Sequence, residues 1–146
     1  MLKKPDGQGA ANFHKRGEEE ESRTMEIRTR QYGDVIILAA NGRLDADNAQ
    51  DLVAAINKNV QAGNLRLVAD LKGVDFASND GIQLLVQAAH HIWHQGGDIR
   101  LASVQSQVKT ILNLIMTDKK IKVYSNAVAA TASYFQNEET HNTGLY

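Results

Sequence analysis

The sequence predicts an α/β protein with a mixed β-sheet of about four to five strands and about four helices, in the order β-β-α-β-α-β-α-β-α. Two short apolar runs joined by a glycine-containing turn indicate an antiparallel hairpin at the start. The run over residues 65–71 is almost continuously apolar, which is typical of a strand covered on both faces. Beyond it, helical periodicity alternates with short apolar runs, and this favours parallel strands connected by helices.

The first half of the predicted domain contains the hairpin, one helix and the central strand. Either Asp45 or Asp47 is expected to cap the first helix, because an aspartate side chain accepts backbone N–H groups at a helix start. Gly63 is expected to follow its end. A loop over residues 73–78 should lead into the second helix, which opens at residues 79–81. The three strands of this half are predicted at residues 27–31, 35–40 and 65–71.

The second half alternates helices with short strands, which are predicted at residues 98–102 and 121–124. Ser103 and Ser125 are expected to cap the third and fourth helices. The core face of the second helix, read from its helical spacing, carries Ile82, Leu85, Val86, Ala89 and Trp93. The residues expected to face inward on the fourth helix are Val128, Ala132 and Phe135.

Polar segments flank a single predicted domain at residues 25–135. Residues 1–24 hold the only proline and few large apolar residues. Such a segment cannot bury enough apolar surface to offset its ordering entropy, so a disordered N-terminal tail is predicted. The run Glu18–Glu21 within it is interpreted as a solvated segment, with a partner-binding motif as the alternative. Residues 136–146 are expected to form a frayed C-terminal tail.

Composition excludes several classes of protein. The net charge is −1 and the pI is near 6.5, so no nucleic-acid partner is predicted. The absence of cysteine excludes disulfides, thiolate zinc sites and cysteine catalysis, and it fits a cytoplasmic protein. No apolar run approaches the length of a transmembrane helix, and no secretory signal is visible, so no membrane insertion is expected.

No catalytic or cofactor motif is visible in the sequence. There is neither a nucleophile-elbow serine nor a glycine-rich phosphate loop. His90 and His94 share one side of the second helix, but no carboxylate or cysteine accompanies them there, so no metal site is predicted. The sequence therefore favours a binding protein without enzymatic activity or cofactor. A small nucleotide-binding α/β domain is the alternative of a different class.

Two segments carry a family resemblance. The run from Asp70 to Ile82, DLKGVDFASNDGI, resembles the signature D-L-x-x-V-x-F-[IM]-D-S-S-G-L of STAS domains, the family of bacterial anti-sigma factor antagonists. The run from Gly42 to Ala46 resembles the family's G-x-L-D segment, and the order of elements agrees over residues 25–135. The resemblance implies a STAS-type fold and a cytoplasmic bacterial regulator of transcription or signalling. Its implied partner is an anti-sigma factor or a serine-kinase-like protein, and a homodimer is compatible with it.

The match departs from the family at the phosphorylation site. In phosphorylatable members, the serine directly before the glycine of D-S-S-G receives phosphate from a partner kinase. Asp80 stands at that position here, Asn79 replaces the preceding serine, and Ser78 replaces the aspartate. The resemblance therefore predicts that phosphorylation does not switch this chain at position 80. Asp80 either imitates a phosphate or, like Asn79, only caps the helix. Ser78 is either a displaced phosphoacceptor or a serine that satisfies backbone groups.

The predicted partner-binding surface surrounds this segment. Leu84 is expected to point away from the core face and to expose an apolar side chain beside the helix start. A non-switching STAS subunit of a scaffold or of a transport-system assembly is the rival function, because fold alone does not choose among these. The residues of the predicted surface are Ser78, Asn79, Asp80, Gly81, Asp75, Phe76 and Leu84.

Overall fold

The computed structural model of the protein describes residues 25–116 and 121–143, and it confirms the predicted α/β fold and order of elements. The predicted N-terminal tail, residues 1–24, lies outside the described residues. The last helix continues past residue 135, where the domain was expected to end. The elements are β1 (Glu26–Tyr32), β2 (Val35–Leu44), α1 (Ala46–Gln61), β3 (Arg66–Ala77), α2 (Asn79–His94), β4 (Asp98–Ala102), α3 (Ser106–Ile115), β5 (Lys122–Tyr124) and α4 (Ala127–Thr143).

The five strands form one mixed sheet in the order β1-β2-β3-β4-β5. β1 and β2 form the antiparallel hairpin, and the other neighbours are parallel. Because side chains alternate along a strand, β2 contributes Ile36 and Leu38 to one face and Val35 and Ile37 to the other. Helices α1, α2 and α3 pack on the first face, which we call the covered face. Helix α4 packs on the second, which we call the open face.

The main core lies between the covered face and its three helices. Alternate residues of β3 point into it, while Val68 packs under α4 on the other side. This burial on both faces explains why the strand is almost continuously apolar. The large side chains that are fully buried in this core include Leu38, Leu44, Leu52, Leu67, Leu71, Ile82 and Leu85.

The loop expected at residues 73–78 is wrong, because β3 continues as a strand to Ala77. β2 is also longer than predicted, and the two strands remain paired up to Leu44 and Ala77, with irregularities in register on the way. β4 ends beside Asp70. The ends of β2 and β3 therefore project beyond the rest of the sheet as a two-stranded ribbon. Backbone pairing between β2 and β3 holds the ribbon together beyond residue 71, where the apolar run of β3 ends.

Two expected helix caps are also wrong. Ser103 has a φ of 56°, and its N–H donates to the Tyr124 carbonyl (3.0 Å), so it joins β4 to β5 instead of capping α3. Gln105 precedes α3 without a side-chain cap hydrogen bond. At α4, Asn126 replaces Ser125 as the cap, since its Oδ1 accepts the Ala129 N–H (2.8 Å).

The inward face predicted for the last helix is wrong at Val128, which is 79% exposed. Polar contacts of Ser133 and Tyr134 turn a different face of α4 toward the sheet. The Tyr134 hydroxyl accepts the Leu67 N–H (3.1 Å) and lies 2.7 Å from the Leu67 carbonyl, to which it donates. The buried Arg100 guanidinium lies 3.9 Å from the Tyr134 ring centroid and donates to Ser133 Oγ. Burial raises the pKa of the Tyr134 phenol above its ordinary value, and the nearby carboxylate of β4 acts in the same direction.

Candidate functional site

The candidate site is the junction between β3 and α2, which a single residue, Ser78, connects. Beyond the end of β4, none of the described strands pairs with this edge of β3. Gln107 of α3 takes that place, because its Oε1 accepts the Ala77 N–H (2.8 Å) and its Nε2 donates to the Ala77 carbonyl (3.1 Å). Gln105 adds a hydrogen bond to the Lys72 carbonyl (2.7 Å). Neither glutamine was predicted to belong to the site, because the only sequence signal for either is its position near a helix start.

Ser78 is the N-cap of α2, so the expectation that Asp80 or Asn79 caps this helix is wrong. Its backbone is extended, with φ −96° and ψ 166°, and its Oγ accepts the Gly81 N–H (3.0 Å). Its own N–H donates to the Leu44 carbonyl (3.0 Å). The cap falls here because a capping residue needs extended backbone, and Ser78 is the last residue before the helix with that conformation.

Gly81 brings the start of α2 against the end of β2. A Cβ at this position would lie 2.0 Å from the Leu44 carbonyl oxygen and 3.0 Å from the Asp45 Cα. Only a residue without a side chain allows this approach. The glycine that the family resemblance singled out therefore sets the distance between α2 and the ribbon.

The starts of α1 and α2 lie side by side at this edge. Asp45, one of the two caps expected for α1, accepts the Asn48 N–H on its Oδ1 (2.9 Å). Each helix carries an aspartate in its first turn, Asp47 in α1 and Asp80 in α2, and both residues are exposed. The positive ends of two helix dipoles therefore meet here, and each favours a nearby carboxylate.

Asp80 is left without a capping task, since Ser78 performs it. It is exposed, as is its neighbour Asn79. Within the described part of the chain, no ion pair or hydrogen bond involves the side chain of either residue. The Asp80 carboxylate is therefore available for contact with a second molecule while it remains in the field of the helix start.

The ribbon adds an aromatic side chain and another carboxylate. Phe76 is half-buried, and the Arg43 guanidinium lies 4.1 Å from its ring centroid, which is a cation–π arrangement. Asp75 is exposed beside it. Asp75, Phe76, Ser78 and Asp80 belong to one continuous segment of the chain. The structure adds Arg43 to them from the paired strand, a residue that no sequence motif indicated as part of the site.

Leu84 does not meet the expectation of an exposed leucine. It is half-buried and packs against the main core, and Ala88, one turn later, is buried. Helix α2 lies on the sheet with α1 on one side and α3 on the other, so a wider part of its surface is covered than the sheet alone would cover.

The histidines of α2 make local contacts. His94 Nδ1 lies 2.8 Å from the His90 carbonyl oxygen, and the His90 ring lies 5.2 Å from the Trp93 ring. Among the described residues, no group of three or more histidine, aspartate or glutamate side chains could hold a metal ion. None of the described helices is both long and apolar enough to cross a membrane.

The ribbon of β2 and β3 leads directly into the capped start of α2. Together with a mixed sheet that has three helices on one face, this arrangement defines a class of small α/β domain. The model of the STAS domain family matches residues 26–130. The chain belongs to the STAS domain family, and the resemblance inferred from the sequence is confirmed.

Solved structures share this fold at low sequence identity. An anti-sigma factor antagonist from Mycobacterium paratuberculosis is 20% identical, with a TM-score of 0.66 over 75% of this chain and 92% of that one. The anti-sigma factor antagonist SpoIIAA, in its unphosphorylated form, is 10% identical, with a TM-score of 0.60 over 76% and 98%. Part of the murine anion transporter solute carrier 26 family member A9 is 17% identical, with a TM-score of 0.64 over 83% of this chain and 24% of the transporter. Comparison with curated proteins gives no significant match.

Proposed function

We propose that this STAS domain is an interaction module of the anti-sigma factor antagonist type, which acts by binding and not by catalysis. Its partner is an anti-sigma factor or a serine-kinase-like protein in the bacterial cytoplasm. The contact surface is the junction of residues 75–81 together with Leu84. The observation that supports this proposal most directly is Asp80, an exposed carboxylate in the first turn of α2 at the position where phosphorylatable relatives carry serine.

The charge at position 80 is permanent. A phosphoserine carries about −1.5 to −2 charges and three acceptor oxygens, so one carboxylate imitates it in part. We infer that this chain is not switched at residue 80 and that Asp80 contributes a fixed negative charge to the partner contact. Exchange of partners then depends on their relative affinities and concentrations, because no covalent change alters the surface.

Ser78 is a poor substitute for the missing phosphoacceptor. Its hydroxyl oxygen accepts the Gly81 N–H, and the residue is only half-exposed. Phosphorylation there would require a kinase to reach a hydroxyl that is engaged in the helix cap, and it would place a phosphate against the packed end of the ribbon. The proposal therefore assigns Ser78 a structural role and leaves Asp80, Asn79 and Asp75 as the exposed polar groups of the surface.

Capture from the native lysate with the full chain as bait tests the proposed partner. Wild type is compared with Asp80→Ser and Asp80→Ala, and Asp34→Ser serves as the control because Asp34 is exposed in the hairpin turn, at the opposite end of β2 from the junction. We expect a captured anti-sigma factor or kinase-like protein, identified by mass spectrometry, whose affinity falls in both Asp80 variants and stays unchanged in Asp34→Ser. Equal affinities across all four proteins would assign Asp80 to helix stability alone.

The same captured partner tests the absence of a switch. After incubation with the partner and ATP, mass spectrometry should find no phosphate on wild type, whereas Asp80→Ser regains a hydroxyl at the family position. Phosphate on Ser78 of the wild type would contradict the structural role of that residue. Capture of assembly or transporter components alone would favour the non-switching subunit, and saturable binding in direct titration with ATP or GTP would favour the nucleotide-binding alternative.

A further inference from the structure

The open face is only partly covered by α4. This helix packs over the part of the sheet that contains Val35, Ile37, Val68 and Ala102. Toward the start of β1 and the ribbon, the same face forms a cleft of about 670 Å³. The strand residues that line it include Arg28, Arg30, Asn41, Asp70, Lys72 and Gly73.

The cleft carries an excess of positive charge. Arg28, Arg30 and Lys72 are exposed at its border, against a single lining carboxylate, Asp70. Asp70 is already engaged, since its Oδ1 accepts the backbone N–H of Lys72 (3.1 Å). Arg28 lies 3.5 Å from the exposed Glu26 carboxylate. In the described part of the chain, the side chains of Arg30 and Lys72 form no ion pair.

This charge has a complement in the same chain. Glu18–Glu21 is an uninterrupted acidic run that ends five residues before Glu26, the first residue of β1. Five residues of extended chain span at most about 17 Å, and the cleft begins at Arg28 on that strand. Glu26 pairs with Asn41, which lines the cleft, so β1 begins beside the cleft.

We propose that the cleft of the open face binds the acidic run Glu18–Glu21 of the same chain. Attraction between exposed charges is weak for each pair, but the short connection holds the run at an effective concentration in the millimolar range. The run thereby shields a part of the sheet face that none of the described helices covers. Because the cleft lies on the opposite face of the sheet from α2, this binding is independent of the function proposed for Asp80.

A single spin label on the full chain tests the proposal. The chain has no cysteine, so Ser22→Cys provides one attachment point directly after the acidic run. Paramagnetic broadening is then measured at the backbone amides of Asp70 and Gly73 in β3. The matched control adds Glu18→Gln, Glu19→Gln, Glu20→Gln and Glu21→Gln, which keep the length and shape of the run and remove its charge.

We expect strong broadening at both amides. It should fall at least about threefold in the four-glutamine variant and in about 1 M salt, where the Debye length is about 3 Å. Lys72→Gln combined with Arg30→Gln should reduce it similarly, whereas Lys58→Gln, on the exposed side of α1, should not. No broadening at Asp70 and Gly73, or equal broadening with and without the glutamates, would overturn the proposal.

Discussion

The two faces of the sheet hold their helices by different interactions. On the covered face, α1, α2 and α3 pack through leucine, isoleucine and valine side chains that are completely buried. On the open face, α4 packs through alanines and the rings of Tyr134 and Phe135, and it is fixed by the Tyr134 hydroxyl and by the contact of Arg100 with Ser133. The first arrangement depends on buried apolar area, and the second depends on a few directional contacts.

The difference affects where a binding surface can lie. Buried apolar area is non-directional, so the covered face forms a stable base on which the short junction at Ser78 can hold exposed charges in place. Directional contacts position α4 over only part of the open face and leave a polar cleft beside it. The following changes test this contrast, from the largest expected effect to the smallest.

Leu85→Ala should cause the largest loss of stability, because it removes a completely buried side chain from the covered face. We expect a decrease of about 2–5 kcal/mol in the free energy of unfolding, measured by denaturant titration. The matched control is Leu114→Ala, since Leu114 is 71% exposed on α3 and should cost less than about 0.5 kcal/mol. Similar losses for the two variants would contradict the dependence of this face on buried area.

Gly81→Ala should have the next largest effect, a decrease of about 3 kcal/mol in the free energy of unfolding. The added Cβ would overlap the Leu44 carbonyl and push α2 away from the ribbon. Thermal unfolding measures the loss, and amide shifts should change at both helix starts. Gln83→Ala, an exposed substitution two residues further along α2, serves as control. A Gly81→Ala protein as stable as wild type would show that the close approach is not required.

Tyr134→Phe should lower the free energy of unfolding by about 2 kcal/mol, because the backbone N–H and carbonyl of Leu67 lose their buried hydrogen-bond partner. Tyr32→Phe is the control, since Tyr32 is 64% exposed and its ring remains in place. Faster amide hydrogen exchange in Tyr134→Phe, confined to α4, would show that the hydroxyl holds this helix on the open face without affecting the covered face. An equally small effect for both tyrosines would remove the role assigned to the hydroxyl.

The same tyrosine predicts a dependence on pH. Its pKa is raised in the folded protein, so the protonated phenol stabilises the fold fully below the unfolded pKa, about 10. This stability should be lost as the pH rises above that value. Wild type should therefore lose more free energy of unfolding than Tyr134→Phe between about pH 9 and 11, and parallel curves would contradict the raised pKa.

Ser78→Ala should have a smaller effect, a loss of about 1 kcal/mol in the free energy of unfolding from the missing cap of α2. Asp80→Ala should have the smallest effect, because Asp80 does not cap the helix. Denaturant titration of the two variants in parallel separates the residue that stabilises the helix from the residue that is proposed to contact the partner. The reverse order of losses would return the capping role to Asp80.

Local patterns were enough to predict the order of elements, the hairpin, the covered core and the segment that holds the candidate site. Apolar periodicity reports burial against a sheet directly, so Ile82, Leu85 and Ala89 were assigned to the core correctly. The motif around Gly81 was sufficient to indicate the family, and the equivalence of Asp80 to the family's serine stays a prediction from that motif.

Tertiary structure decided the details of the site and of the open face. Ser78 caps α2 because pairing with β2 and with Gln107 extends β3 to Ala77, and no local pattern contains that pairing. Leu84 is half-buried because two other helices flank α2. Val128 is exposed because the hydrogen bonds of Tyr134 with Leu67, which are 67 residues apart, set the rotation of α4. Apolar burial can be read from neighbouring residues, whereas directional contacts depend on partners that are distant in sequence.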